Sequence, residues 1–343
     1  MIDTVTLGFP NYTLSDDVLR EFIKMTTLYP ELPVLRPDSR VGLRKEKTKY
    51  NARFPVTDKY KVQVTYYPSD KFGNSKPYLL LEFSIPMIVR GTNVFMVDDI
   101  IQAAFNVNKK INDALIGFPT IDILMGNVVR IDFCFNHYVG ALVPQYLDIL
   151  SKLPYSHREP TKYERATVSY KSKSHSTSFY DKQRESRSPL AHGVLRQEQR
   201  INRHDKLREL VEKETGIDSA ILRDFCDPSF VQKILEKDLK ELQVDQESIH
   251  RYNDAQDRLI QVYGSTRGDR LFGFLHHNQG LTNKEIMERR QISRETVSGN
   301  FLLIKRAGVS RALSDSVVDL PPLSINFPLA MRRESLIRSD SST

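Results

Sequence analysis

The sequence predicts an α+β fold: an antiparallel-sheet domain over residues 1–204, a mainly helical domain over 205–313 with a helix-turn-helix-like segment, and an extended to disordered tail over 314–343. Three observations predict it. Apolar and polar residues alternate, the period of a half-buried strand, in segment after segment up to Asn202. Helical spacing of apolar residues takes over from Asp205 to about Ala312. The last segment carries Pro321, Pro322 and Pro328 and ends in Ser and Arg, a pattern of an extended and then disordered tail.

Taken in order, Val5, Leu7 and Phe9 alternate with Thr4, Thr6 and Gly8, which makes Met1 to Phe9 a strand. Ser15-Asp16-Asp17 opens a helix whose Val18, Leu19, Phe22 and Ile23 recur at helical spacing and whose acids offset the helix dipole. Strands are expected at Lys59 to Tyr67 and Tyr78 to Val89, followed by a helix from Val97 to about Leu115. In the strand Asn127 to Asn136, Val129, Ile131, Phe133 and Phe135 share one face, and Arg130, Asp132, Cys134 and Asn136 share the other. A helix over Val143 to Leu153 leads to strands at Ala166 to Ser172, Ser176 to Lys182 and Val194 to Asn202. The polar stretch Gln183 to His192 forms the long hairpin connection between the last two, a place for a nucleic acid to pass.

At 343 residues the chain is long enough for a core domain with an accessory one. Cys134 and Cys226 form no CxxC pair, so neither a zinc site nor a disulfide framework is supported, and a reducing cytoplasm fits best. No basic leader and no apolar run approaching ~18 residues is present, so export and membrane insertion are not expected. The formal charge of +7 favours a polyanionic partner, and its distribution is more telling than its size. Between Lys171 and Arg203 eight Lys or Arg stand against three acids, a local field suited to phosphates or, in the plainer reading, a solvated loop face.

Five positions carry the chemistry. In Ser176-Thr177-Ser178-Phe179-Tyr180-Asp181-Lys182 the period of a strand puts Tyr180 and Lys182 on one face, where a phenol and a cation can act on one phosphate. Tyrosine is common in strands, and packing is its ordinary role there. In Leu195 to Ile201, Arg196, Glu198 and Arg200 share a face: either a salt-bridge ladder, or Glu198 holding a divalent cation while the arginines grip phosphates. Asp132 sits opposite the apolar face of its strand, where a hard oxygen ligand for Mg²⁺ or Mn²⁺ is the natural role, and Glu82 repeats the pattern as a third ligand. His175, five residues before Tyr180, is in reach of the same phosphate in one reading and a solvated loop histidine in the plainer one.

These segments, in this order, resemble the gene II replication protein family of filamentous phages. The resemblance rests on Met1-Ile2-Asp3, on Glu82 to Phe95 with Gly91-Thr92-Asn93-Val94-Phe95, and on Arg130-Ile131-Asp132. It continues in Thr167-Val168-Ser169 with Tyr180-x-Lys182-x-x-Glu185 and in Arg196-x-Glu198-x-Arg200-Ile201, covering roughly residues 1–203. It implies a rolling-circle initiator that nicks one strand of double-stranded origin DNA, stays joined to the 5′ phosphate, displaces a single strand and later recloses it in the bacterial host cytoplasm. Host helicase and polymerase are the implied partners, with no membrane and no small-molecule substrate. Tyr180 falls on the nucleophile, Lys182 on the family's lysine, and Asp132 and Glu198 on acidic positions. The chain has no alternating His-x-His pair, so carboxylates rather than paired histidines are expected to bind the metal. Tyr170, on the preceding strand, is the candidate for a second tyrosine.

In the helical half, Thr282 or Asn283 caps a helix through Ile286 and Met287, Gln291-Ile292-Ser293 makes a short turn, and Arg294 to Arg306 forms a second helix. Val297, Phe301 and Ile304 point inward, leaving Arg294, Thr296 and Ser298 for DNA, as in a helix-turn-helix whose second helix enters the major groove. Lys171, Lys173, Arg130, Arg196 and Arg200 complete the expected DNA contacts. Two rival readings remain at this point: a non-catalytic origin-binding or repressor protein, and a hydrolytic nuclease that leaves no protein on its DNA.

Overall fold

The computed structural model describes residues 1–27, 49–69, 76–155, 158, 160–163, 166–314 and 320–340. The fold is α+β, and the chain forms two compact units: Met1–Asp132 with Ile201–Pro228, and Phe133–Arg200 with Ser229–Thr343. These units divide the chain elsewhere than at residue 204, because β5 below runs from one into the other.

The first unit opens with β1 (Ile2–Pro10), α1 (Asp16–Thr27), β2 (Tyr50–Thr57), β3 (Tyr60–Tyr67) and β4 (Tyr78–Ser84). Helices α2 (Ile85–Arg90) and α3 (Ile100–Ala114) precede β5 (Asn127–Tyr138), which crosses the boundary after Asp132. The strand order in this unit is β2-β3-β4-β1-β5, and the pairings from β2 through β3 and β4 to β1 are antiparallel. Strand β2, not anticipated, lies at the sheet edge, where Pro55 costs no ladder hydrogen bond. One face packs on α1 and α3; on it the rings of Phe22 of α1, Phe54 of β2 and Phe118, in the loop after α3, cluster with centroids 5.7–5.9 Å apart. The strand expected to run to Val89 stops at Ser84, whose side chain accepts from the Met87 N–H and caps α2, with Pro86 in its first turn.

In the second unit the order is β5-β9-β8-β7-β6. Helix α4 (Val143–Lys152) leads to β6 (Pro160–Tyr163), β7 (Thr167–Lys171) and β8 (His175–Asp181), then α5 (Lys182–Ser186) and β9 (Val194–Ile201). The expected open connection Gln183 to His192 is thus partly helical. Gly193, at φ 70°, leads into β9 against Gly140; a Cβ there would lie 2.7 Å from the Gly140 Cα, so only glycine fits. After α6 (His204–Thr215) in the first unit, the second resumes with α7 (Pro228–Leu242), β10 (Ile249–Arg251), α8 (Tyr252–Tyr263) and α9 (Ser265–His277). Then come α10 (Asn283–Arg290), α11 (Arg294–Arg306) and β11 (Val309–Ser314), which pairs in parallel with β10.

The helical elements share a core of Leu259, Leu271, Leu275, Ile304 and Leu313. Gly268 allows α9 to cross α8 closely, since a Cβ would meet the Ile260 backbone at 2.6 Å. The two-helix reading holds: Thr282 and Glu285 form a reciprocal capping box on α10, Gln291 ends it in the left-handed region at φ 52°, and Ser293 caps α11.

Two expectations are corrected here. The tail is not extended throughout: α12 (Phe327–Asp340) packs its Phe327 ring 5.2 Å from Phe135 and buries Glu334, which accepts from the Asn136 side-chain amide at 2.8 Å. Phe327, Ala330 and Glu334 recur at helical spacing, a stripe obscured by the tail's prolines and its Ser- and Arg-rich end. Residues 315–319 and 341–343 of that tail lie outside the described residues. The polar face of β5 is likewise covered, with Asp132 and Asn136 only 2% and 1% exposed. Among the described residues, no helix is long and apolar enough to cross a membrane.

Candidate active site

Strands β8 and β9 bring Tyr180 and Glu198 together. The Tyr180 hydroxyl donates to Glu198 Oε2 at 3.0 Å, and Arg200 Nη2 donates to Glu198 Oε1 at 3.1 Å. A carboxylate within hydrogen-bond reach of a phenol is placed to take its proton, and the guanidinium orients that carboxylate. Tyr180 is 8% exposed, with Thr167 as its cross-strand partner on β7.

Lys182 does not continue the strand. Asp181 accepts from the Arg184 N–H and caps α5, so Lys182 occupies a first helical turn rather than the next outward strand position. It still lies beside the tyrosine: its ammonium is 5.8 Å from the Tyr180 ring centroid, fully buried, and donates to Glu185 Oε2 at 2.6 Å. Tyr170 is fully buried, its hydroxyl donates to the Leu150 carbonyl, and burial pushes its phenol up. That removes it as a second nucleophile. His175 is no free loop residue: it opens β8, half-buried, and contacts Ser172, Ser174 and Arg158.

On the opposite side of these strands lies a group the sequence reading missed. Asp238 of α7 is wholly buried, and its carboxylate accepts from Tyr155 at 2.5 Å, from Thr177 of β8 at 3.0 Å and from Gln199 of β9 at 3.2 Å. The signal was an acid among the apolar positions Leu235, Leu239 and Leu242 of one helix. Burial raises the Asp238 carboxyl from 3.8 to about 6, against the hydrogen bonds from Tyr155 and Thr177 and the charge of Arg158, which lower it. The native state therefore binds more protons than the unfolded state between pH 4 and 6. Stability falls as pH rises through that window, by about 3 kcal/mol at ~1.4 kcal/mol per unit. Asp238→Asn cannot ionise, and Thr177 can turn to accept from its amide. Denaturant titrations should show its stability relative to wild type rising by about 2 kcal/mol between pH 4.5 and 7.5, and a pH-independent difference would refute this.

The remaining acids belong to the first unit. Arg130 grips Asp132 in a fork, Nε to Oδ1 at 3.1 Å and Nη2 to Oδ2 at 2.7 Å, and its Nη1 reaches Glu82 Oε1 at 3.4 Å. Thr6 donates to the other Glu82 oxygen at 3.3 Å. Among the described residues, no group of three or more His, Cys, Asp or Glu converges as a metal site. The expected ligands do not fit Mg²⁺ or Mn²⁺ as arranged: an ion would have to displace Arg130 from Asp132, and Tyr180 or Arg200 from Glu198.

The expected DNA contacts separate into two groups. Lys171 and Lys173 are exposed, and Arg294, Thr296 and Ser298 stand exposed on α11. Arg200 is half-exposed and paired with Glu198, while Arg130 commits three of its five N–H donors to carboxylates. Arg196 is corrected outright: it is fully buried, with Nη2 donating to Cys134 Sγ at 3.0 Å. The alternation of β9 gave its face correctly but not the cover over that face.

The chain is similar in structure to a rolling circle replication initiator protein from Geobacillus stearothermophilus, with a TM-score of 0.33 and 10% identity over 70% of this chain and 84% of that one. No protein-family model and no curated protein matches it.

Proposed function

We propose that this chain is a rolling-circle replication initiator of the filamentous-phage gene II kind, which nicks origin DNA with Tyr180 and later recloses it. The observation that carries this reading is the Tyr180–Glu198 hydrogen bond, which pairs the two residues that the phage resemblance marks as nucleophile and acid. As the Tyr180 oxygen bonds to phosphorus, Glu198 takes the phenol proton, and the bond from phosphorus to the 3′ oxygen breaks. The departing oxygen picks up a proton and leaves as a 3′ hydroxyl. The phosphotyrosine keeps the ester energy, so a 3′ hydroxyl can attack it and reseal the strand. Lys182 supplies positive charge beside the ring, and Arg200 orients the carboxylate.

Origin choice falls to α10 and α11. Two capped helices joined by a short turn, with Arg294, Thr296 and Ser298 exposed on the second, fit a major groove. The test is incubation of the protein with supercoiled DNA carrying the origin of its own replicon, followed by denaturing gels. The expected result is nicked circles with protein bound to the 5′ end. Nicks without bound protein would indicate a hydrolase, and binding without nicks would indicate a repressor.

A further inference from the structure

One face of the first unit's sheet packs on α1 and α3; among the described residues the other is open across β2 to β4, where Arg53 is exposed and Gln63, Leu80 and Glu82 are half-buried. Register sets a transverse polar row on the open face: Arg53 opposite Gln63, Gln63 opposite Glu82, and Glu82 opposite Thr6. Beside this row lies a cleft of about 700 Å³ whose lining includes Arg53, Lys59, Lys61 and Gln63, the three cations all exposed. Asp58 and Glu82 also line it, and Glu82 is shared with Arg130.

Toward the far end of the same face, Tyr67 pairs with Tyr78, their ring centroids 6.5 Å apart. Tyr78 does not stand up from the sheet. Its hydroxyl lies 1.8 Å, and its Cζ 2.6 Å, from where a Cβ on Gly8 would be, so the side chain reaches across β1 and rests on the bare glycine. Tyr78 is half-buried. Its side chain thus lies along the sheet, with cations further along the face.

We propose that this face holds a single strand of nucleic acid, with a base stacked on Tyr78 and the sugar-phosphate chain running to Arg53, Lys59 and Lys61. Stacking accepts any base, since every base has a π face, and the cations take phosphates without reading sequence. A duplex offers no such contact, because its bases are stacked on one another. The occupant is the strand released by nicking, so the proposal rests on the replication reading above.

The experiment measures binding of the full-length protein to fluorescent oligothymidine and to a duplex carrying the origin. Tyr78→Ala should weaken oligothymidine binding ~10-fold and leave duplex binding unchanged, while Tyr78→Phe, which keeps the ring, should bind as wild type. Gly8→Ala keeps the tyrosine but displaces its ring, and should weaken the same interaction; circular dichroism confirms that each variant is folded. Unchanged oligothymidine binding in folded Tyr78→Ala and Gly8→Ala, or equal loss on the duplex, would overturn the proposal while leaving the replication reading in place. Wild-type protein that binds neither DNA would overturn both.

Discussion

Tyr180→Phe should abolish the covalent protein–DNA adduct, a fall of ~10³-fold or more in cleavage, while origin binding persists. The substitution removes one oxygen and keeps the ring that packs on β8. Glu198 loses the hydroxyl it accepts from but keeps Arg200 at 3.1 Å, so the carboxylate is not left unpaired. The fold should therefore survive, with a cost of about 1 kcal/mol for the lost hydrogen bond. Gel electrophoresis under denaturing conditions reads the adduct, and gel shift on the same DNA reads binding. Adduct formation by Tyr180→Phe at the wild-type rate would assign the nucleophile to another residue.

The second large effect is at Glu198. A phenol near pKa 10 gives up its proton poorly at neutral pH, so removing the acceptor should slow cleavage about 10²–10⁴-fold. Glu198→Gln is nearly isosteric: its amide oxygen can still accept from Tyr180, but it cannot take the proton. Its amide nitrogen then faces Arg200, which weakens that contact. The expected signature is a lower maximal rate with little change in DNA affinity. A uniform loss of DNA affinity with an unchanged maximal rate would mean that Glu198 organises binding rather than chemistry.

Much of the fold was legible because strand and helix periods are local properties. The alternation in β1, β3, β5 and β9 and the capped pair α10–α11 could be read directly from residue spacing. Local caps overrode the pattern in two places: Ser84 ended β4 early, and Asp181 turned Lys182 out of its strand into α5. Alternation says which residues share a face, but not whether another element covers that face. For this reason Asp132 and Arg196 were placed correctly on their strands and wrongly toward solvent. Asp238 escaped notice because its partners, Tyr155, Thr177 and Gln199, come from distant parts of the chain. Tyr78 escaped because its posture depends on Gly8, on a neighbouring strand.

The most direct test of the central claim is to trap the adduct on origin DNA, digest the protein with trypsin, and locate the nucleotide remnant by mass spectrometry. Cleavage after Lys173 and Lys182 releases Ser174–Lys182, in which Tyr180 is the sole tyrosine, whereas Tyr170 leaves in the separate peptide Ala166–Lys171. The account predicts the remnant on Ser174–Lys182. A remnant on Ala166–Lys171, or on any other peptide, would contradict it.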